Sequence, residues 1–317
     1  MEKIRIGVSA CLMGEKVRYD GQHKHDSYIT GTLANWFDFV PVCPEFELGL
    51  GVPREAMRLE GDPQHPRLMT NKTGRDLTEP MLAWCTSRVK ELEKEDLCGF
   101  IFKSKSPSSG MERVKVYPLG GGMAQNKGRG LFANAFMQHF PLLPVEEEGR
   151  LNDPGLRANF IEQVFTLKRW REMIASNSTR GGLVRFHERH KYLLMSHSIP
   201  HYRALGQIVA NMKGRKLDQV QQDYLEAMME ALRLRATVRK HCNVLQHMAG
   251  YFKKQLGADE KLELQETIAT YRQGHFPLIV PITIINHYIR KYEEPYLSQQ
   301  YYLKPHPTEL QLRNQVF

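Results

Sequence analysis

One pattern recurs in the first third of the chain: a short apolar run that empties into polar residues. Ile4 to Ala10 is such a run, and Cys11 follows it. Phe39 to Val42 is a second, followed by Cys43, Pro44 and Glu45. Phe100 to Phe102 is a third, leading into Lys103-Ser-Lys-Ser-Pro-Ser-Ser-Gly110. Each has the length and composition of a buried strand. Open α/β sheets place their chemistry beyond the carboxyl ends of such strands. Parallel pairing of the three therefore predicts a single crevice lined by Cys11, Cys43 and the serine loop. Apolar positions at Met81, Leu82, Cys85, Val89 and Leu92 predict a crossover helix over Glu79 to Lys94. Residues 28–37 and Leu131 to His139 read as further helices, and Val114 to Tyr117 and Leu142 to Val145 as further strands. The glycines between Gly120 and Gly130 read as a mobile loop. Residues 52–74 carry prolines and few apolar runs, and read as an excursion over the sheet in which Arg58, Arg67 and Lys72 are candidate lid residues.

From about Asn152 the period changes to that of helices. Phe160, Val164, Leu167 and Trp170 recur at a spacing of three to four, as do Phe186, His190 and His197, with Pro200 ending that run. A third helix runs from Leu217 through Leu234 and continues into Arg235, Arg239 and Lys240, which puts Arg235 and Arg239 on one face. Leu262 to Tyr271 and Ile284 to Tyr292 are helical in spacing, and the tail from Tyr301 reads as extended and aromatic. The expected fold is an α/β N-terminal domain with a mainly parallel sheet over residues 1–150, and a mainly α C-terminal domain over residues 151–317.

Charge separates the halves further. Residues 1–150 hold 20 Lys and Arg against 20 Asp and Glu, while residues 151–317 hold 24 against 15, so the whole formal charge of +9 lies in the second half. A neutral half with catalytic chemistry joined to a basic, Tyr-rich half suggests a large polyanion such as RNA or DNA as partner. No apolar run is long enough to span a membrane, and no signal-peptide core opens the chain; the expectation is a cytoplasmic protein. The five cysteines are few and widely spaced, which argues against a disulfide framework. Cys85, Cys98 and Cys242 read as buried and inert, whereas Cys11 and Cys43 at strand ends read as ligands or nucleophiles. Two thiolates and a polar third group suit a soft metal or an iron–sulfur cluster. Glu45, two residues after Cys43, reads as a general acid or base, with a salt bridge or helix cap as the alternative. His197 and His201 are four apart with Pro200 between them, and read as surface or RNA-facing.

Ser9-Ala-Cys11-Leu-Met-Gly14 with Val17-Arg-Tyr-Asp-Gly21, Cys43-Pro-Glu45 and the loop from Lys103 to Gly110 resemble the signatures of thiouracil desulfidases. The second half, with Phe186-His187, Tyr192-Leu-Leu-Met195 and Tyr202-Arg-Ala-Leu-Gly206, is similar to a helical domain found fused behind that domain. Such fusions resemble bacterial tRNA 4-thiouridine desulfidases. The resemblance implies a [4Fe–4S] cluster held by three cysteines, non-redox removal of sulfur to leave uridine, and tRNA as partner. By position, Cys11 and Cys43 match two cluster ligands, Glu45 the acid/base carboxylate, and Ser104 or Ser106 the hydroxyl beside the substrate. The chain departs from the pattern at Ser109, where the family has its third cysteine; Ser109 is the positional match for the third ligand, and Cys98 the alternative. Two other functions stay open: a desulfidase of free thiolated nucleobases, and a nucleic-acid-binding protein without a cluster.

Overall fold

The computed structural model describes residues 2–315 and divides into two compact units, the first ending at Asp153 and the second starting at Pro154.

In the first unit, β1 (Ile4–Ser9), β2 (Phe37–Val42), β5 (Phe100–Phe102) and β8 (Val145–Glu147) form one sheet in the order β2-β1-β5-β8. All three pairings are parallel, with Ser9 opposite Val42, Val8 opposite Ile101 and Phe102 opposite Glu147. The apolar runs form strands because both faces are covered: Ile6, Val8, Phe100, Ile101 and Phe102 are each 0% exposed. Helices α2 (Thr78–Leu92) and α3 (Leu131–His139) supply the cover, and the Phe100 ring lies 4.7 Å from Phe136 and 5.7 Å from Phe132.

The short helix expected over residues 28–37 is present as a π turn, Tyr28–Thr32, running into a 3₁₀ turn, Leu33–Asn35, and β2 begins at Phe37. Three other expectations fail locally. The excursion after residue 52 contains a hairpin, β3 (Met57–Asp62) with β4 (His65–Thr70). The glycine loop is the turn of another hairpin, β6 (Val114–Tyr117) with β7 (Gln125–Gly128), and β3 and β6 join in parallel to make a second four-stranded sheet. The last strand starts at Val145, not Leu142: Pro144 has no N–H to give a ladder, and contributes only its carbonyl, to Phe100 N at 3.0 Å.

The second unit comprises α4 (Pro154–Asn177), α5 (Arg180–His197), α6 (Ile199–Ala210), α7 (Leu217–Arg233), α8 (Val238–Ala249), α9 (Ala258–Arg272), α10 (Ile279–Lys291) and the short α11 (Pro295–Ser298). One core joins Leu193, Leu245, Met248, Phe252, Ile285 and Tyr302. The tail is a run of turns rather than an extended strand, and its Tyr302 is fully buried. The expected helix through Arg239 breaks: Leu234 is extended (ψ 126°), and the Thr237 side chain caps α8 by accepting from Lys240 N. Arg235 therefore lies between helices and shares no helical face with Arg239. His197, expected at the surface, is 0% exposed. No described helix is long and apolar enough to cross a membrane.

Candidate active site

Beyond Ser9, a 3₁₀ turn over Ala10–Met13 carries Cys11, and Gly14 closes it with φ 95°, a left-handed conformation that suits glycine. Beyond Val42, Cys43 caps α1 (Pro44–Glu47), which sets Glu45 in the first turn; the Cys43 N–H donates to Glu47 Oε1 at 2.9 Å. Beyond Phe102, Lys103 N donates to Ser9 Oγ at 2.8 Å and launches the serine loop.

That loop is clamped by α3. The N–H groups of Gly130, Leu131 and Phe132 donate to the carbonyls of Gly110, Pro107 and Ser108 at 2.8, 3.2 and 2.9 Å, using donors a helix start leaves unsatisfied. The approach requires glycine at 130: a Cβ there would sit 2.4 Å from Ser108 C and 2.7 Å from Ser109 N, both backbone atoms.

Cys11, Cys43, Glu45, Ser106, Ser108 and Ser109 all line one cavity of about 420 Å³, as do Arg54, Lys103 and Ser104. The strand-end convergence expected for Cys11, Cys43 and position 109 is thus what the fold produces. Cys98 stands at the other end of β5, its N–H on Arg5 O at 2.9 Å, outside the cavity lining. That leaves Ser109 as the residue at the third position.

Glu45 is held through both of its carboxylate oxygens. Arg54 donates to its Oε2 from Nε at 3.0 Å and Nη2 at 2.5 Å, and Ser108 Oγ donates to its Oε1 at 2.8 Å. The Arg54 side chain is only 5% exposed, and is further held by the carbonyls of Gly51 and Val17, each at 2.9 Å. Both Arg54 and the Ser108 contact escape sequence reasoning, because they depend on a loop folding back rather than on any period. Ser104 and Ser106 are placed in the crevice with their hydroxyls already engaged. Ser104 Oγ donates to Glu148 Oε1 at 2.7 Å, and Lys103 Nζ pairs with the same carboxylate. Ser106 Oγ accepts from the N–H of Ser108 at 3.3 Å and of Ser109 at 3.1 Å, a turn within the loop itself. Of the loop hydroxyls, Ser108 is the one that meets the carboxylate.

Burial pushes the Cys11 thiol up to about 11, aided by the neighbouring Cys43 and opposed by Lys103 and Arg18. Burial also raises Cys43, partly offset by the backbone N–H of Phe46. Both are thiols unless a metal takes the place of their protons. Among the described residues, no three His, Cys, Asp or Glu side chains come together as a metal-holding group. The crevice offers two sulfur donors and a serine hydroxyl, one thiolate short of the set implied for a [4Fe–4S] cluster. The residues present do not fit a three-thiolate cluster.

A parallel sheet whose strand ends gather two thiols, a carboxylate in an arginine fork and a serine loop defines an α/β catalytic domain, and matches with known proteins make that class specific. Residues 6–148 match the family described as 2-thiouracil desulfurase, and residues 191–307 match the family described as protein of unknown function (DUF1722). The uncharacterized protein YbgA of Escherichia coli (strain K12) is 34% identical over 153 residues, spanning 48% of this chain and 90% of its own length. The solved structure of TudS, a [4Fe–4S]-dependent thiouracil desulfidase, is 27% identical and covers 48% of this chain and 95% of its own, with a TM-score of 0.39. The chain belongs to the family of YbgA, and carries a thiouracil desulfurase domain joined to a DUF1722 helical domain.

Proposed function

We propose that the first unit removes sulfur from free thiolated nucleobases such as thiouracil. The observation that carries this reading is the crevice itself: two thiols, Glu45 and the serine loop around one cavity of about 420 Å³, a size suited to a small molecule, in a domain that matches the desulfurases. The reaction replaces a thiocarbonyl with a carbonyl. One water adds at the carbon, its oxygen stays, and its two protons leave with the sulfur as hydrogen sulfide, so no electrons change hands. Glu45 takes a proton from water and returns it to sulfur. Arg54 fixes that carboxylate, and Ser108 holds its second oxygen. The [4Fe–4S] cluster implied by the resemblance would need a donor that Ser109 does not supply as thiolate. Anaerobic incubation with 2-thiouracil and 4-thiouracil, before and after loading with iron and sulfide, tests the reading by sulfide release and loss of thione absorbance. Absence of sulfide from both bases under both conditions would remove it.

A second reading, 4-thiouridine in tRNA as substrate, is favoured by one observation. A cleft of about 690 Å³ lined by Arg58, Lys105, Arg113, Lys115 and Tyr117 shares Met57, Lys105 and Pro107 with the crevice. Phosphates beside a thiolated base would find cations there, although Arg58 is partly neutralised by Glu60 at 2.5 Å. Reversing Arg113 and Lys115 to Glu should weaken tRNA binding and flatten its salt dependence while leaving turnover of a free base intact. Unchanged tRNA affinity in the folded double variant would leave the free base as substrate.

A further inference from the structure

Desulfidation in the first unit develops negative charge on sulfur. The oxygen of water bonds to the thiocarbonyl carbon, one proton passes to Glu45, and the π pair of the carbon–sulfur bond moves onto sulfur. The anion lasts until Glu45 returns its proton and the carbon–sulfur bond breaks, the proton of the new hydroxyl leaving with it as hydrogen sulfide. Glu45 handles the proton, and a second group must hold the charge. A preorganised donor aimed at that charge does so without reorganising at the moment of reaction.

Five cations line the crevice: Arg18, Lys24, Arg54, Lys103 and Lys105. Two are already committed. Arg54 donates to Glu45 and to the carbonyls of Gly51 and Val17. Lys103 Nζ has three N–H groups and three acceptors, the Glu148 carboxylate and the carbonyl and hydroxyl of Ser104, the last two each at 3.1 Å. Lys24 and Lys105 are exposed, where water weakens the pull of a charge. Arg18 is held without being consumed. Its N–H donates to Gln22 O at 3.3 Å, and its carbonyl accepts from Gly21 N at 3.0 Å. The next carbonyl, Tyr19 O, accepts from Arg54 N at 2.8 Å, which ties this turn to the residue that forks Glu45. Arg18 Nε lies 3.4 Å from Asp20 Oδ1, and Cζ lies 5.4 Å from the centre of the Tyr19 ring. Among the described residues neither Nη group has a hydrogen-bond partner. The side chain is 21% exposed against 5% for Arg54, so a molecule in the crevice has surface to meet.

We propose that Arg18 is a catalytic residue of this crevice, its Nη groups donating to the substrate's sulfur while that sulfur is negative. Its charge reaches the Cys11 side of the cavity, where it draws the thiol down against burial. Asp20 takes the Nε edge of the guanidinium and leaves the Nη edge to the ligand. The reaction assigned to Arg18 rests on the desulfidase reading, whereas its grip on an anionic pyrimidine does not.

Two measurements on the full chain test it, with Arg18→Met to remove charge and donors and Arg18→Lys to keep the charge. The first is calorimetric titration with 2-thiouracil, neutral at pH 7, and with 2-thiobarbiturate, an analogue that is an anion there. Arg18→Met should bind the anion about tenfold more weakly than the natural chain and thiouracil within about twofold of it. The second is sulfide release. Arg18→Met should lower kcat about 10²–10³-fold, the range for a lost donor to a developing anion, with KM little changed. Arg18→Lys should keep part of the rate, and added guanidinium at millimolar concentration should restore part of it to Arg18→Met. A purely structural role would lower the denaturant midpoint and give no such rescue. No sulfide from the natural chain would remove the desulfidase reading and the reaction assigned to Arg18, while the titration still decides whether Arg18 holds an anion. The proposal is overturned if Arg18→Met binds thiobarbiturate as tightly as the natural chain does, or turns over within about threefold of its rate.

Discussion

Glu45→Gln separates a proton-carrying carboxylate from one that merely anchors Arg54. Gln keeps the shape, and its carbonyl oxygen can still accept from Arg54 while its NH₂ group donates to Ser108 Oγ, but it cannot carry a proton from water to sulfur. Removing one partner of a fully buried pair costs about 3–5 kcal/mol. Here the Glu45 side chain is 14% exposed, Gln keeps the bond from Arg54 and reverses the one with Ser108, and Arg54 keeps the carbonyls of Gly51 and Val17. The expected loss of stability is therefore about 1–3 kcal/mol, the range for a charge-assisted hydrogen bond made neutral. A domain stable by roughly 5–15 kcal/mol stays folded through that. Turnover should fall about 10²–10⁴-fold, the range for a lost general acid or base. The assay is sulfide release from a thiolated base, with denaturant unfolding run in parallel on the same preparation. Arg54→Met provides the contrast, because it leaves the carboxylate without its fork and should cost more in stability than Glu45→Gln. A folded Glu45→Gln chain that retains more than about a tenth of the rate, against the loss expected for an acid/base group, would show that the carboxylate is structural and that the proton carrier lies elsewhere.

Three further outcomes are expected. Ser109→Cys places a third thiol at the cavity, and should raise the iron and sulfide held per chain after anaerobic loading, read by metal analysis and visible absorbance; equal iron in both chains would mean that position 109 faces no metal. Gly130→Ala drives a methyl into the backbone at Ser108 and Ser109, and should cost about 1–3 kcal/mol as an overpacked contact and lower turnover with it, whereas unchanged activity would show that the serine loop need not be clamped. Acid should destabilise the second unit. His190 is held well below its ordinary value by burial and then by Arg169, and His306 is pushed down to about 4 by burial and then by Arg313. The unfolded chain takes up protons on these rings near pH 6.5 while the folded chain refuses them well below that, His306 until about pH 4, so their contribution is intact above pH 6.5 and is lost as pH falls, for His306 by about 1.4 kcal/mol per pH unit. Denaturant midpoints followed by the buried Trp170 between pH 7 and pH 5 check this, and a flat profile would refute it.

The strands that build the crevice are legible in the sequence because they are covered on both faces. Continuous burial writes Ile4 to Ser9 and Phe100 to Phe102 as apolar runs, and the chemistry begins where the runs stop. The hairpin of β3 and β4 is not legible, because β3 buries only Leu59 deeply and β4, buried at Pro66 and from Leu68 to Thr70, carries a proline inside a run that shows no strand-length apolar signal. Arg54 is invisible for another reason. Its partner lies nine residues back, and only the turn that brings Arg54 N to Tyr19 O at 2.8 Å aims the guanidinium into the crevice. The serines were visible as residues but not as roles: a hydroxyl beside free backbone N–H groups serves the loop first, which is what Ser106 does, and only coordinates distinguish it from Ser108.

Charge is where composition misleads most. The surplus of the second half suggests a polyanion partner, yet several of its cations point inward. Arg169 donates to Pro305 O at 2.7 Å, to Thr166 Oγ1 at 2.8 Å and to His190 Nε2 at 3.1 Å. Arg313 is spent on Tyr302 O and Glu162, and Lys240 Nζ on the carbonyls of His197 at 2.6 Å and Arg235 at 2.9 Å. Arg215 pairs with Asp223, and Lys291 with Glu260 at 2.6 Å. A cation that satisfies buried carbonyls neutralises no phosphate and releases no counterion on binding, so it adds nothing to a salt slope. The formal charge is therefore an upper bound on the electrostatic pull of this unit. Its inward cations act on its interior, where Arg313 ties the tail to the carboxylate of Glu162 and the carbonyl of Tyr302.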